Sequence, residues 1–468
     1  MASDSTGYTW SPPICDLTTP PELRQTYAIK DEGNHVNFAR NARWTPDGSV
    51  FLAHCEDQTL QLFGTTPTTP PNAEPRQPTY PPPFDPSELI QAWSHVILLF
   101  NDDLVLPSPV LRQSAPILDF TWFPSASPHD PASFCFLASV RECPVKLLDA
   151  SDGRLRASYK IVDHRERFVA PHSMTFNLDA TKIYCGYEDA IEVFDVLQPG
   201  EGTRIATTPS RKSKDGLKGI VSALAFSPNY STESDAFFAA GTLNTTLANL
   251  ALYNESQSDA PLMFIGGGDR AGVTQLRFNP MNPHILYAAH RRRDAILAWD
   301  LRSDVNLPLA KYVLPHKPMT NQKMIFDVDA TGQRLAVGGQ QGNVYIFDLT
   351  KTKDDKDDSD TELRQPDLVV DAHSDSVGSV AFHPYQPILL STSGSRHFND
   401  SDIESDSSED SGTDEDETPP ITSQPKTRPV CKDSSIKTWS FQTIQETTIT
   451  TGQGNYPRLK TLSFYINA

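Results

Sequence analysis

Cysteine is sparse and scattered in this chain of 468 residues: Cys15, Cys55, Cys135, Cys143, Cys185 and Cys431 form no Cys-x-x-Cys pair and no Cys/His cluster. That argues against a disulfide framework and leaves zinc without a ligand set, so reduced thiols and no metal are expected. Long apolar runs are missing too. The longest, Val96 to Phe100, falls far short of the roughly 20 residues that a membrane helix needs. The first thirty residues lack a basic stretch followed by an apolar one, so no secretory leader is expected. No long amphipathic helix is visible, and no G-x-S-x-G elbow for a serine nucleophile.

Basic charge is also short, but locally. The formal net charge is −19, which at face value opposes a nucleic-acid partner. Ten of the acidic residues, from Asp400 to Glu417, fall in a stretch between Asn399 and Glu417 that has no Lys or Arg. Without that stretch the rest carries −9, an ordinary mildly acidic balance. The charge that opposes an anionic partner belongs largely to one segment.

What is present is a repeat, met seven times. Each copy is a strand ending on a large apolar residue, a short apolar strand, a turn, and a third strand ending on another large residue. The first anchors are Trp44, Trp122, Phe176, Phe226, Phe278, Phe326 and Phe382; the last are Phe63, Leu148, Phe194, Tyr253, Trp299, Phe347 and Trp439. Asp follows four of the last anchors, as Asp149, Asp195, Asp300 and Asp348. From Trp122 onward the first anchors recur about every 50 residues, a propeller-type period. An all-β, seven-bladed propeller is expected, with blades near 35–63, 114–149, 164–196, 216–254, 266–301, 316–349 and 371–441, together a domain over 35–450. Residues 1–34 read as an N-terminal arm with an outer strand at Tyr27 to Lys30. A proline-rich loop (67–86), a charged loop (350–366) and an acidic insert in blade seven (396–430) interrupt the pattern; their composition predicts disorder or extended chain. Asp47-Gly48 marks a tight turn in blade one.

Blade seven carries a set of four polar positions: His373 before its first strand, Ser391 (or Ser393) in the second, Asp433 in the next turn and Trp439 in the third. A Ser, a His and an Asp also make a hydrolase triad, but a triad needs an exposed nucleophile and an oxyanion site. The four resemble the hydrogen-bond set of WD40 repeats, which ties outer loop to inner strands. Partial sets are expected around His164, His316, Asp189 and Asp294.

Beyond generic WD40 character, VNFARNARWTPDGS, SVRECPVKLLDASDGRLRASYK, APHSMTFNLDATKIYCGY, GIVSALAFSPN and TNQKMIFDVDATGQRLAVGGQQGNVYIFD resemble the telomerase Cajal body protein family. The resemblance runs from about Asn37 to Gly394. It implies a non-catalytic protein without cofactor or small-molecule substrate. Its partners would be small nuclear RNA and ribonucleoprotein proteins, guide and telomerase RNAs in animals and spliceosomal particles in a fungal branch. The fungal type is expected here. So are a nuclear location, nuclear bodies included, with some protein in the cytoplasm, and a monomer within a larger complex. Gly267-Gly268 stands where the family often has Gly-His.

In WD40 propellers the loop before each innermost strand shares a face with the turn between strands two and three. That rule gathers the RNA-contact candidates Arg141, Arg165, Arg167, Arg211, Lys212, Lys214, Arg270, Arg291, Arg292, Arg293, Lys317 and Lys323, with Lys218 beside them. Phe168 or His316 would stack on an unpaired base. The competing reading is that each cation is solvated or meets a neighbouring carboxylate, although Asp294 alone cannot neutralise three arginines. The acidic insert falls on the same face, either as a solubilising loop or as a tethered polyanion competing with RNA, strengthened by phosphorylation at Ser407, Ser408, Ser411 or Thr413. A protein-only scaffold that touches no RNA is the alternative function.

Overall fold

The computed structural model describes residues 13–29, 36–64, 109–210, 212–213, 215–228, 236–245, 249–257, 260–317, 319–351, 361–398 and 429–443. Within them the second strands of the repeats are mostly apolar, and several are buried at every position, as in VFLAHC, CFLASV and ILLSTS. A strand buried on both faces needs partners on both sides, and blades stacked around an axis supply them.

The chain begins with β1 (Glu22–Ala28) and then builds the blades in order. Blade one holds β2 (Ala39–Trp44), β3 (Val50–Cys55), β4 (Thr59–Gly64) and β5 (Val110–Arg112); blade two β6 (Ile117–Trp122), β7 (Cys135–Val140), β8 (Val145–Asp149) and β9 (Leu155–Tyr159). Blade three holds β10 (Ser173–Phe176), β11 (Lys182–Tyr187), β12 (Ala190–Asp195) and β13 (Thr203–Ala206); blade four β14 (Val221–Phe226), β15 (Phe237–Thr242), β16 (Leu250–Asn254) and β17 (Met263–Phe264). Blade five holds β18 (Val273–Phe278), β19 (Ile285–His290), β20 (Ala295–Asp300) and β21 (Ala310–Val313). Blade six begins with β22 (Asp327–Val328), β23 (Arg334–Gly338) and β24 (Asn343–Asp348). Its outer strand, β26 (Leu368–Asp371), follows β25 (Glu362–Arg364), which instead pairs parallel with β21 as a fifth strand of blade five. Blade seven holds β27 (Val377–Phe382), β28 (Ile388–Ser393) and β29 (Ser435–Ser440), closed by β1.

The seven anchor pairs occupy equivalent register positions. Phe51 opposes Phe63, Phe136 Leu148, Ile183 Phe194, Phe238 Tyr253, Leu286 Trp299, Leu335 Phe347 and Leu389 Trp439. The same second-strand residues meet Trp44, Trp122, Phe176, Phe226, Phe278 and Phe382 on the inner strand. Blade six differs: Val328 opposes Leu335, so the equivalent inner position is Val328 and not Phe326. Phe326 lies one pleat earlier and is buried on the same face, which is why it mimics the anchor. The Asp after the last anchor has a local task. Asp149, Asp195, Asp300 and Asp348 each accept the backbone N–H two residues on, at 2.8–3.0 Å, turning the chain out of the sheet.

Three expectations change. The outer strand in the N-terminal arm is Glu22–Ala28 rather than Tyr27 to Lys30, and it belongs to blade seven, antiparallel to β29 from Glu22↔Ser440 to Ala28↔Ser435. Of the charged loop at 350–366, residues 362–364 are strand, because alternating Glu362-Leu363-Arg364 supplies a ladder edge for β21. The ends of the 396–430 insert are ordered: His397 and Val430 exchange two backbone hydrogen bonds of 2.9 and 2.8 Å. The proline-rich 67–86, the acidic run 399–417 and its Ser and Thr residues lie outside the described residues.

Candidate functional site

Strand direction alternates in every blade, so loops entering the inner strands and turns joining strands two and three share one face. Inner strands are stapled to one another at the axial channel by polar groups that are buried or partly buried. Asp119 accepts from Arg43 of blade one (3.0 Å) and from the Met174 N–H of blade three (3.0 Å). Gln275 exchanges two hydrogen bonds with the Phe326 backbone, 2.7 and 2.9 Å, and Asp327 accepts the Phe382 N–H (2.8 Å) and pairs with Arg277 (2.7 Å). These contacts hold the rim of the channel rigid.

The tetrad of blade seven is connected in one chain. The Trp439 indole donates to Ser391 Oγ at 2.9 Å; Ser391 lies 2.8 Å from His373 Nε2; His373 Nδ1 lies 3.2 Å from Asp433 Oδ2. Because a carboxylate only accepts, Nδ1 carries the proton and Nε2 accepts from the serine. Burial pushes the imidazole down to about 4, so it is neutral near pH 7. Ser391 is completely buried, and its Oγ already holds the indole, so no substrate reaches it. The arrangement serves packing.

Register also locates the equivalent positions in blade five. Val273 and Arg293 stand where Val377 and Asp433 stand, which puts Asp269 in the place of His373 and Trp299 in that of Trp439. Asp269 and Arg293 form an ion pair of 3.7 Å. Blade five therefore keeps the link between loop and turn with reversed charge, and Asp294, expected in that set, does not supply it. His164 and His316 are exposed, while Asp189 does tie its turn to the next loop through Gly219 N–H at 2.7 Å.

The candidate cations divide accordingly. Arg293 is occupied by Asp269 and donates to the Arg270 carbonyl. Arg167 is held by Asp163 at 2.8 Å, and hydrogen bonds from Arg167, backbone then side chain, bring that carboxyl down to about 2. Lys218 donates to the Ser213 carbonyl. Arg141, Arg165, Lys212, Arg270, Arg291, Arg292 and Lys317 are exposed on this face, with no ion pair among the described residues. Arg211 and Lys214 lie outside those residues. Lys323 is exposed as well; the protein around it depresses its pKa by desolvation, and its charged neighbours are Asp119 and Arg43 on the inner strands of blades two and one. Its charge and that of Arg141, after burial, lower His172 at the same rim. Three basic residues were not anticipated. Arg40 is the extra residue of a bulge in β2, and it shares Glu56 with Arg396 at the seam of blades seven and one; Lys432 is exposed beside them. A bulge carries no sequence signature here, which is why Arg40 reads as an ordinary strand residue.

The neck of the acidic insert is fastened to this face by Asp375. Its carboxylate accepts from Ser395 Oγ (2.7 Å), the Ser376 N–H (2.7 Å) and the Lys432 N–H (3.1 Å), and meets His397 Nε2 at 2.9 Å. Burial opposes ionisation, but the hydrogen bonds from Ser395 and His397 outweigh it and hold the group at about 2.

Seven sheets around a channel with this tetrad define a WD40 β-propeller, and the family model for the WD domain, G-beta repeat matches residues 364–399. The chain is homologous to the telomerase Cajal body proteins. It is 30% identical to telomerase Cajal body protein 1 of Mesocricetus auratus over 77% of this chain and 59% of that protein, and 30% identical to that of Homo sapiens over 80% and 60%. A Schizosaccharomyces pombe relative, guanine nucleotide-binding protein negative regulator 1, is 28% identical over 66% of this chain and 70% of its own length. The chain spans about 60% of the length of the animal relatives cited.

Proposed function

We propose that this protein is a non-catalytic propeller that binds small nuclear RNA or its ribonucleoproteins on the face described above, and supports their assembly or their localisation in nuclear bodies. The observation that carries the reading is the blade-five turn: Arg291 and Arg292 project from it side by side, exposed and without a carboxylate partner among the described residues. Two adjacent unpaired cations suit a phosphate backbone, and Arg141, Arg270 and Lys317 extend the positive surface on neighbouring blades. The names of the relatives support telomerase or Cajal body biology, and with it a nuclear location; the spliceosomal type of client is the fungal variant of the same reading. The partners are RNA and ribonucleoprotein proteins, with the protein as one copy in a larger complex. The buried serine of the tetrad supports a scaffold role over a catalytic one.

Crosslinking and sequencing of bound RNA tests the reading, with guide, telomerase or spliceosomal RNAs expected. Arg291→Gln with Arg292→Asn, the Asn chosen because position 292 has φ 55°, should weaken binding and lower the salt slope by about 1.4 for single-stranded RNA. Partners that survive nuclease digestion, with no enriched RNA, would favour a protein-only scaffold.

A further inference from the structure

Between blades two and three the same face opens into a cleft of about 350 Å³ lined by Leu118, Arg141, Glu142, Arg167, Phe168 and His172 among others. Its volume is near the low end of small-ligand sites, about 300–1,000 Å³, and suits a single nucleotide rather than a duplex. Phe168 leaves 41% of its surface exposed, where a loop phenylalanine would ordinarily turn inward. Arg141 and Glu142 sit together in the turn between β7 and β8, both exposed and neither ion-paired among the described residues. Glu142 is held at φ 59°, a backbone region that a residue with a Cβ occupies at a cost. Arg167 is pinned to Asp163 by two hydrogen bonds of 3.0 and 2.8 Å, so it walls the cleft instead of binding an anion.

We infer that this cleft takes one unpaired guanosine of the bound RNA, its base stacked on Phe168, its phosphate on Arg141 and its Watson–Crick edge on the Glu142 carboxylate. An exposed aromatic ring is a platform for any base. The carboxylate makes the choice. It only accepts, repels phosphate, and needs neighbouring donors; among the four RNA bases guanine alone offers N1–H and N2–H side by side. The inference rests on the RNA-binding reading above, but uses none of the blade-five arginines.

The test titrates the full chain with end-labelled hexauridine, and with the same oligomer carrying one central guanosine, inosine or adenosine. The guanosine oligomer should bind about 5- to 150-fold tighter than the adenosine one, the effect of one good two-point base contact, with inosine between them because it lacks the 2-amino group. Phe168→Ala should weaken every oligomer, by about 5- to 150-fold if stacking is lost. Glu142→Gly suits the positive φ and removes the carboxylate, so the guanosine-to-adenosine ratio should fall to about one. Equal affinity for all four oligomers, or variants that leave the ratio and the affinities unchanged while Arg291→Gln with Arg292→Asn still weakens RNA binding, overturns the cleft alone. No binding of any RNA, with an arginine peptide seated on Phe168 and Glu142 instead, overturns the cleft and the reading beneath it.

Discussion

At the scale of single residues, the tetrad shows how a catalytic-looking set becomes structural. Ser391 Oγ lies between the Trp439 indole and the His373 ring, and removing it strands two buried polar groups at once. Ser391→Ala should therefore cost about 2–6 kcal/mol in urea unfolding, since each unmade buried hydrogen bond carries a desolvation penalty of about 1–3 kcal/mol. The reversed pair in blade five should be worth far less. Asp269 and Arg293 are 3.7 Å apart and partly exposed, so a double-mutant cycle should give a coupling below about 1 kcal/mol. Gly342 is a harder constraint. It has φ 93°, and a Cβ there would fall 1.9 Å from the His373 carbonyl oxygen. Gly342→Ala should lower Tm, because backbone must move in the loop that presents the tetrad histidine.

At the scale of the element, β1 decides whether the ring closes. It completes blade seven, and its Tyr27 packs edge-on against Phe51 and Phe63 of blade one, ring centroids 5.0 and 5.7 Å away. One short strand thus joins the beginning of the chain to its last blade and to its first. Tyr27→Ala should cost about 3 kcal/mol, near the lower end for an aromatic-to-alanine change in a core, measured by denaturant unfolding. Removal of residues 1–28 should leave β29 with an open edge and produce association detectable by light scattering. The turn of blade five is an element in the same sense. Its register spends Arg293 on the ion pair with Asp269 and leaves Arg291 and Arg292 exposed.

For the whole molecule, the pH dependence of stability sums over buried histidines. Burial pushes His54 down to about 3 and His290 and His373 to about 4. Their unfolded values are about 6.5, so the unfolded chain binds protons first. Their contribution is complete above about pH 6.5 and lost as pH falls toward 4, by at most about 1.4 kcal/mol per pH unit for each histidine. Asp149 and Asp375, held at about 2, extend the loss below pH 4, while burial raises Asp327 and Asp329 and opposes it. Thermal unfolding from pH 7 to 4.5 should show a falling Tm, and a flat profile would remove the buried neutral histidines from the account. The chain leaves β4 for the proline-rich segment and β24 for 352–360 on one side, and leaves the Asp375-clamped neck for the acidic segment on the other.

The seven-fold repeat, six of its seven inner anchors and all seven outer ones were determined by sequence alone, because burying a strand on both faces demands the same large residues at the same spacing. The four-residue tetrad was legible for the same reason: its residue types have few other uses in that order. Closure by Glu22–Ala28 and the return of Glu362–Arg364 to blade five were settled only by tertiary structure, since each depends on an edge hundreds or tens of residues away being vacant; the place of Val328 was settled by hairpin register against Leu335, which composition does not distinguish from that of Phe326 two residues earlier. The site divides the same way. Sequence placed the cations on one face, but which of them remain free was decided by partners brought in from other loops: Asp269 takes Arg293, Asp163 takes Arg167, and nothing among the described residues takes Arg291 or Arg292. Charge is a property of composition; its neutralisation is a property of distance.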